Sequence, residues 1–310
     1  MVHIFIVNFA AGLKRYSGGL RQYLDTLGDN IKFYMVHTRQ NHDETKLVRE
    51  VLNLFEGEKI RIYSCGGSGT ICNILNGIDD FSNVEIAFYP KGKTNDFLRV
   101  FGSDKEKFED ILELIHGEVH MIDYIKASQG VALNTTSTGV DAVQILKHLE
   151  YAPMELFGKR LPYQLALIYA MFFTKPAEYE IEYDGNVIKD KFIEIFFGNG
   201  GVLGGNIWFE QDNDIQDGLG KFAAVKYRGR IKTVFSLYRL IQKKRPEDDP
   251  SFVTAYTKSI TVRRCDGTPF HLDFDGESQP ARSEWKLEIV NKGLPFVVPK
   301  GVWSLEDSTR

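Results

Sequence analysis

The sequence predicts two domains of different class, an N-terminal αβα doubly wound domain and a C-terminal antiparallel β-sandwich. In the first part of the chain, apolar strands alternate with amphipathic helices, which is typical of a parallel sheet with helices on both faces. Near Met121 the pattern changes to strand-like alternation with few helices. With 310 residues, the chain is long for one hydrophobic core and comfortable for two.

We place the αβα domain at residues 1–125 and the β-sandwich at residues 126–294, and we expect residues 295–310 to return to the first domain. The first-domain strands are predicted at Val2–Asn8, Ile31–His37, Ile60–Ser64 and Val84–Tyr89. Its helices are predicted from Ser17 to Leu27, from His42 to Phe55 and from Phe108 to His116. In the helix from His42 to Phe55, the apolar residues Leu47, Val51, Leu54 and Phe55 share one stripe, and Ser17 is a typical N-cap residue.

The second domain contains alternating apolar and polar residues, which predict half-buried strands. These strands are predicted at Val131–Thr136, Tyr179–Tyr183, Phe192–Phe197, Phe222–Tyr227, Val253–Val262, Phe270–Phe274 and Trp285–Val290. Helices interrupt them at Val140–Leu149, Leu161–Phe173 and Ile231–Gln242. Asp184-Gly185 has the residue types of a tight hairpin turn.

Composition excludes several classes of protein. The formal net charge of −4 argues against general nucleic-acid binding. The three cysteines have no metal-ligand spacing and fit reduced thiols in a cytosol. We expect no signal peptide, because the first residues lack a basic segment and a long apolar segment. No run reaches the length of a membrane span.

The stretch from Ile60 to Thr70 predicts a strand, a glycine turn and the start of a helix. Gly66, Gly67 and Gly69 allow a sharp turn and close approach to a ligand. The free N–H groups of the helix that follows suit a phosphate. An ordinary strand-to-helix turn is the alternative, because neither of the two commonest phosphate-binding fingerprints is present.

Polar residues follow several predicted parallel strands. Asn8, Thr38, the loop from Gly66 to Thr70 and the loop from Pro90 to Asp96 all lie at carboxyl ends of strands. Ligands bind at that edge of doubly wound sheets, so these residues are expected to converge.

The stretch from His271 to Glu277 concentrates acidic residues. In an extended strand, Asp273, Asp275 and Glu277 would share a face, where like charges would raise a carboxyl pKa and favour a cation or a proton. The alternative is a solvent-facing hairpin with Asp275-Gly276 at its turn.

Two further segments each have two interpretations. Between Lys221 and Arg245 there are many basic residues and no acidic residue, which suits either an anionic membrane or a solvated face that balances the acidic cluster from Glu210 to Asp217. The apolar helix from Leu161 to Phe173 is either a core helix or a helix that contacts lipid.

Four stretches occur in order along the chain: GGSGT with Asn76-Gly77, PKGKTNDF, GNG followed by Gly204-Gly205, and DGE at Asp275 to Glu277. Together they resemble the diacylglycerol kinase catalytic-domain family, which includes bacterial lipid kinases and sphingosine kinases and is related to the NAD kinases. The family consensus is approximately GGDGT..E..NG, P.GT.ND, NG..GGG and DGE. The resemblance covers nearly the whole chain.

The resemblance implies an enzyme that uses ATP and Mg²⁺ to phosphorylate the primary hydroxyl of diacylglycerol or a similar lipid. The implied partner is a lipid substrate at a membrane surface, with the protein in the cytoplasm or at the inner face of the membrane; a homodimer is also compatible. Glu277 matches the proton acceptor, with Asp275 as its partner, and Asp217, Asp214 and Leu219 match a Mg²⁺-associated segment. Nucleotide contacts are implied for Asn8, Gly12, Thr38, Gly66, Gly67, Ser68, Gly69, Thr70, Lys93, Asn95 and Asp96.

The chain departs from the family pattern at ligand-facing positions. Ser68 stands where the family has Asp, Lys93 where it has Thr, Phe9 where it has Pro, and Asn206 where it has Gly; the Glu after the glycine turn is absent. A catalytically weakened or inactive nucleotide- or lipid-binding homologue is therefore the alternative. A kinase for a soluble substrate, similar to the NAD kinases, is less favoured because of the DGE motif and the basic segment.

Overall fold

The protein is described by a computed structural model, which covers residues 1–8, 17–26, 31–38, 43–92, 95–157, 161–205, 207–212 and 214–302. The chain divides into two compact units: Met1–Tyr124 with Asn291–Arg310, and Ile125–Val290. We call them unit 1 and unit 2.

Unit 1 is built on a parallel sheet. Its strands are β1 (Val2–Val7), β2 (Phe33–His37), β3 (Ile60–Gly66) and β4 (Val84–Pro90). They pair in the order β2–β1–β3–β4, and Phe296 and Val297 extend the sheet in parallel beside β4. Every residue of β1 and β3 is buried, as expected for central strands whose two faces are both covered.

The strand order defines where a ligand would bind in unit 1. From β1 the chain passes to β2 on one side and then returns to β3 on the other side of β1. The edge between the carboxyl ends of β1 and β3 is therefore the topological switch point, the usual ligand site of such sheets.

The helices of unit 1 are α1 (Ser17–Thr26), α2 (Glu44–Leu54), α3 (Ser68–Leu75) and α4 (Ile111–Ile115). The helix predicted from Phe108 to His116 is shorter than expected. It follows a 3-10 segment, Asp96–Glu109, which is interrupted at Gly102, where φ is 57° and ψ is −126°. The sequence pattern could not place this boundary, because both segments carry apolar residues at helical spacing.

Unit 2 is an antiparallel, β-rich unit with three helices among the described residues. Its strands, two of which (β5 and β17) contain the unit boundaries, are β5 (Glu118–Ala127), β6 (Gly130–Ala132), β7 (Thr135–Gly139), β8 (Ala177–Tyr183), β9 (Asn186–Gly198), β10 (Val202–Leu203), β11 (Ile207–Trp208), β12 (Gly220–Lys226), β13 (Phe252–Thr257), β14 (Ser259–Arg264), β15 (Asp273–Phe274), β16 (Glu277–Ser278) and β17 (Glu284–Val298). Its helices are α5 (Val140–Tyr151), α6 (Leu161–Phe173) and α7 (Arg230–Ile241).

Strand β9 is the centre of unit 2. Its first half pairs with β8, and its second half pairs with β7 and with β12. As predicted, Asp184-Gly185 forms the β8–β9 turn, with φ values of 46° and 74° that match a tight two-residue turn. The predicted strand from Val253 to Val262 is two strands, β13 and β14, because the chain turns at Lys258.

The structure confirms the predicted fold class, an α/β part followed by an antiparallel β part. The interpretation of Leu161–Phe173 as a core helix is only partly correct. Ala166 and Ala170 of α6 are fully buried, but Ile168, Phe172 and Phe173 are more than half exposed.

Candidate functional site

At the switch point of unit 1, the chain after β1 is tied to the glycine turn. The Asn8 N–H donates to the Cys65 carbonyl at 3.1 Å. Its side-chain Nδ2 donates to Thr70 Oγ1 at 3.0 Å and to Glu44 Oε1 at 2.8 Å. The Thr38 N–H donates to the Val7 carbonyl at 3.1 Å. The structure thus brings Asn8, Thr38 and Thr70 to one edge of the sheet.

The glycine turn requires close approach of backbone to backbone. A Cβ on Gly66 would lie 2.3 Å from Thr70 Oγ1, and a Cβ on Gly92 would lie 2.3 Å from the Gly67 Cα. The Lys91 and Gly92 N–H groups both donate to the Gly66 carbonyl at 2.9 Å. Two glycines are therefore needed where the β3–α3 turn passes the end of β4.

The turn presents backbone N–H groups at the start of α3. Gly67 is extended, with φ −108° and ψ −168°, and α3 begins at Ser68. Ile71 donates to the Gly67 carbonyl at 3.2 Å, so residues 68–70 precede the first intrahelical hydrogen bond. Their N–H groups have no acceptor within the helix and lie at its positive end, which suits an anion.

Ser68 connects the glycine turn to the Asn95-Asp96 pair. The buried Ser68 Oγ accepts the Asp96 N–H at 3.3 Å, and Asn95 Nδ2 donates to the Gly92 carbonyl at 3.3 Å. The Asp96 carboxylate lies 3.5 Å from Arg99 Nε. At the position where the family has Asp, the shorter Ser68 side chain thus holds a neighbouring loop. Gly12 and Lys93, also predicted to contact nucleotide, lie outside the described residues, as do Phe9 and Asn206.

Glu44 also lies at this edge of the sheet, although it was not among the residues predicted from the sequence. It is 1% exposed, begins α2 and accepts the Asn8 amide. An acidic residue in the first turn of an amphipathic helix is usually a solvated partner of the helix dipole, so the sequence carried no signal of its burial.

In unit 2, the predicted acidic face of one extended strand is wrong. Asp275 and Gly276 have φ values of 52° and 94° and form a two-residue turn between β15 and β16. The turn places Phe274 opposite Glu277, so Asp273, Asp275 and Glu277 do not lie along one strand. The hairpin alternative is correct, although the turn is not solvent-facing, because Asp273 and Asp275 are buried.

The Asp275 carboxylate accepts hydrogen bonds from three backbone N–H groups. Oδ2 accepts from Leu133 at 2.6 Å, and Oδ1 accepts from Asn134 at 3.0 Å and from Thr135 at 2.8 Å. Asn199, from the GNG motif, donates from Nδ2 to the Leu133 carbonyl at 3.1 Å. The GNG and DGE motifs therefore clamp the same segment, residues 133–135, and Asp275 has a structural function within unit 2.

Four further carboxylic acids, Asp141, Glu194, Asp273 and Glu277, lie on neighbouring elements of unit 2. Glu194 Oε2 accepts the Asp141 N–H at 2.9 Å, and Asp273 Oδ2 accepts the Gly276 N–H at 3.0 Å. Burial raises the pKa of Glu194 well above its ordinary value, and the charge of Asp141 adds to the rise. Burial likewise raises the pKa of Asp273, with the charges of Asp141, Asp275 and Glu277 adding to it. Glu277 itself is half-buried and lies close enough to act on Asp273.

Glu194 was also missed, although the sequence carried a signal for it. It is a lone acidic residue in an otherwise apolar run, FIEIFF. A charged residue in such a run is buried only with compensating partners, so its position alone marks it as unusual.

The predicted metal segment forms two local turns. Asp214 Oδ1 accepts the Gln216 N–H at 2.9 Å, and Asp217 Oδ1 accepts the Leu219 N–H at 2.8 Å. The pKa of Asp217 is raised by partial removal from water, with a contribution from the charge of Asp214. Within the described ranges, no three His, Cys, Asp or Glu side chains are grouped to hold a metal ion. Two carboxylates fit Mg²⁺, which commonly takes one or two from protein and the rest from phosphates and water.

Comparison with known proteins supports the predicted resemblance. Residues 3–127 match the diacylglycerol kinase catalytic domain. A diacylglycerol kinase of Bacillus subtilis is 25% identical over 224 residues, which cover 70% of this chain and 70% of that protein.

Solved structures share the fold. One from Bacillus anthracis strain Sterne superposes with a TM-score of 0.75 at 25% identity and covers 97% of this chain and 96% of that chain. A crystal structure of a diacylglycerol kinase from the same strain has a TM-score of 0.68 at 21% identity, covering 97% and 98%. The resemblance predicted from the motifs is confirmed.

Proposed function

Since residues 3–127 match the diacylglycerol kinase catalytic domain, we propose that the protein is an ATP-dependent lipid kinase that phosphorylates the primary hydroxyl of diacylglycerol or a similar lipid. The observation that carries the proposal is the glycine turn of unit 1. It presents the N–H groups of residues 68–70 at the switch point, and Asn8 and Thr70 lie beside it.

In the proposed reaction, the turn binds the ATP phosphates through its backbone N–H groups, while Asn95 and Asp96 order the adjacent loop. The lipid hydroxyl oxygen attacks the γ-phosphorus, the bond to the β–γ bridging oxygen breaks, and ADP leaves. Glu277 accepts the hydroxyl proton. Asp217 and Asp214 would hold Mg²⁺, which neutralises phosphate charge when bound.

The structure changes the proposed function of Asp275. Its two oxygens accept three backbone N–H groups, which stabilise the ionised carboxylate and fix its position. We therefore assign Glu277 alone to proton transfer. Asp275 instead holds the hairpin from which Glu277 projects.

The test is phosphorylation of diacylglycerol in detergent micelles by the purified protein with ATP and Mg²⁺. Glu277→Gln keeps the size of the side chain and removes its basicity, so we expect about a 10²–10⁴-fold loss of kcat with unchanged ATP binding. Glu288→Gln, an exposed position on β17, is the matched control and should leave the rate unchanged. Full activity of Glu277→Gln would exclude Glu277 from the chemistry.

A second candidate is a binding protein that has lost turnover, and Ser68 favours it. Ser68→Asp keeps an acceptor for the Asp96 N–H and restores the carboxylate of the family pattern. Lys93→Thr restores the threonine that the family pattern has at this position. If the double variant phosphorylates lipid much faster than the wild type, the wild type is a kinase that has lost activity at these two positions. If the wild type is active and the double variant is no faster, these positions have adapted to a different substrate or nucleotide. If ATP raises the thermal midpoint but neither form turns over, the binding protein is correct.

A further inference from the structure

An exposed apolar face on unit 2 is formed by helices α6 and α7. Ile168, Phe172 and Phe173 of α6 are 56%, 52% and 62% exposed. Helix α6 contains no charged residue, and a helix that is apolar all round is normally covered on every side. Here only its inner side, with Ala166 and Ala170, is buried in the protein.

Helix α7 adds a second exposed apolar stripe. Ile231, Phe235 and Tyr238 are 87%, 61% and 48% exposed, and their spacing of four and three residues places them on one side of the helix. Thr233, Ser236 and Leu240 form the opposite, buried side. Helix α7 therefore has apolar side chains on both sides: Leu240 packs into the core, while Ile231, Phe235 and Tyr238 face solvent.

The two stripes meet at the ends of the helices. Arg230 Nη1, at the start of α7, donates to the Thr174 carbonyl just after α6 at 3.1 Å. Phe173 and Ile231 are the immediate chain neighbours of these two residues. Helices α6 and α7 also share one core cluster, through Ala170 and Leu240. We call the six exposed side chains of these two adjoining helices the α6–α7 face.

Positive charge flanks this face. Lys175, Arg230 and Lys232 lie at the junction of the helices, and within the described residues none of the three pairs with a carboxylate. Several other basic residues of the run pair with carboxylates, and Lys226 and Arg228 both pair with Asp190. Arg245 pairs with Asp212 at 2.7 Å and Lys221 with Glu210 at 3.2 Å. The interpretation of the basic run as a face balanced by the acidic cluster from Glu210 to Asp217 therefore holds for Lys221 and Arg245.

We propose that the α6–α7 face docks onto an anionic lipid bilayer, with its aromatic and aliphatic side chains in the interface and Lys175, Arg230 and Lys232 against lipid phosphates. A bilayer surface offers what this face lacks, an apolar layer bordered by negative charge. No described helix is long and apolar enough to cross a membrane. The proposal builds on the proposed lipid kinase function and names the surface through which the enzyme would reach its substrate.

The experiment is co-sedimentation of the full chain, without ATP, with vesicles of phosphatidylglycerol and phosphatidylcholine. The double variant Ile231→Ser/Phe235→Ser should lower the partition coefficient at least about tenfold. Lys232→Glu should lower it about fivefold to thirtyfold at low salt and less at high salt. Matched controls in unit 1 are Leu54→Ser, 74% exposed, and the exposed Lys105→Glu, neither of which should change binding.

Three outcomes would overturn the proposal: no binding of the wild type, binding of the variants equal to that of the wild type, or equal loss in the controls. A second copy of the chain is the competing occupant. If the double variant converts a dimer to a monomer in light scattering while vesicle binding is unchanged, the face is a self-association surface.

A parallel assay on a short-chain diacylglycerol dispersed as monomers separates the two proposals. The double variant should keep wild-type activity there and lose it on vesicles. Vesicle binding without turnover of either substrate would refute the kinase but leave the docking surface in place.

Discussion

Replacement of Asp275 tests whether the DGE motif is structural at its first residue. The Asp275 carboxylate accepts three N–H groups from residues 133–135, all of which are at most 3% exposed. A hydrogen bond to a charged group contributes about 1.5–3 kcal/mol. When the carboxylate is removed, water can enter the vacated space and bond to the three N–H groups, so the net loss of stability is smaller than the sum of the three contributions. For Asp275→Ala we expect a loss of about 3–5 kcal/mol in the free energy of unfolding.

A conservative replacement of Asp275 should lower the free energy of unfolding less than alanine does. Asp275→Asn keeps Oδ1 as an acceptor for Asn134 and Thr135 but turns an amide NH₂ towards the Leu133 N–H. One bond is lost and two donors meet, which costs about 1.5–3 kcal/mol. Asn also tolerates the positive φ of 52°, so backbone strain adds little.

Asp184 supplies the matched control. It occupies the equivalent turn position between β8 and β9, with φ of 46°, but among the described residues its exposed carboxylate accepts a single side-chain hydrogen bond, from Thr257 Oγ1 at 2.8 Å. Asp184→Ala therefore measures turn strain and the loss of one solvent-exposed hydrogen bond to a carboxylate, about 1–2 kcal/mol. The excess in Asp275→Ala isolates the three N–H contacts.

The assay is urea unfolding followed by tryptophan fluorescence. Trp285 is fully buried and packs edge-on against Phe274, with ring centroids 5.7 Å apart, so it reports on the chain next to Asp275. A loss of stability in Asp275→Ala no greater than in Asp184→Ala would refute the structural assignment.

Three further outcomes follow from the described contacts. Gly92→Ala should destabilise unit 1 by about 1–3 kcal/mol and abolish the thermal shift with ATP, because its Cβ would meet the Gly67 backbone, whereas Gly19→Ala in helix α1 should stabilise by up to about 1 kcal/mol. The pKa of Glu194 is raised in the folded state, so its contribution to the free energy of unfolding should be complete below pH 4.5, its ordinary pKa, and should be lost as pH rises through the raised value. The free energy of unfolding in urea should therefore differ less between pH 5 and pH 8 in Glu194→Gln than in the wild type. Burial and the charge of Arg61 lower the pKa of His3 to about 4, so its contribution should be lost as pH falls from 6.5 to about 4, and His3→Gln should reduce that loss in thermal unfolding.

Local patterns predicted much of unit 1. The alternation of strands and helices, together with the glycine turn, located the sheet, the order of its elements and the residues at its carboxyl edge. These features depend on neighbours a few positions apart, so they are visible in sequence. Glu44 was missed because its burial depends on Asn8 and Thr70, which are distant in the chain.

In unit 2, local sequence patterns predicted less of the structure. Period-two alternation predicted strands but not where they turn, and the extended interpretation of residues 273–277 failed because two positive φ values at Asp275 and Gly276 reverse the chain. The sequence also could not show which helix faces are left uncovered. In α6 every residue type suits a core, and only packing shows that Phe172 and Phe173 face solvent.

By itself, the sequence determined the class of each part, the order of the motifs and the family they resemble, because these follow from local periodicity and residue identity. Only the tertiary structure decided that Asp275 holds three backbone N–H groups, that Ser68 supports the Asp96 loop, and that α6 and α7 expose a shared apolar face. Those facts arise from contacts between residues far apart in the chain. No spacing along the sequence encodes such contacts.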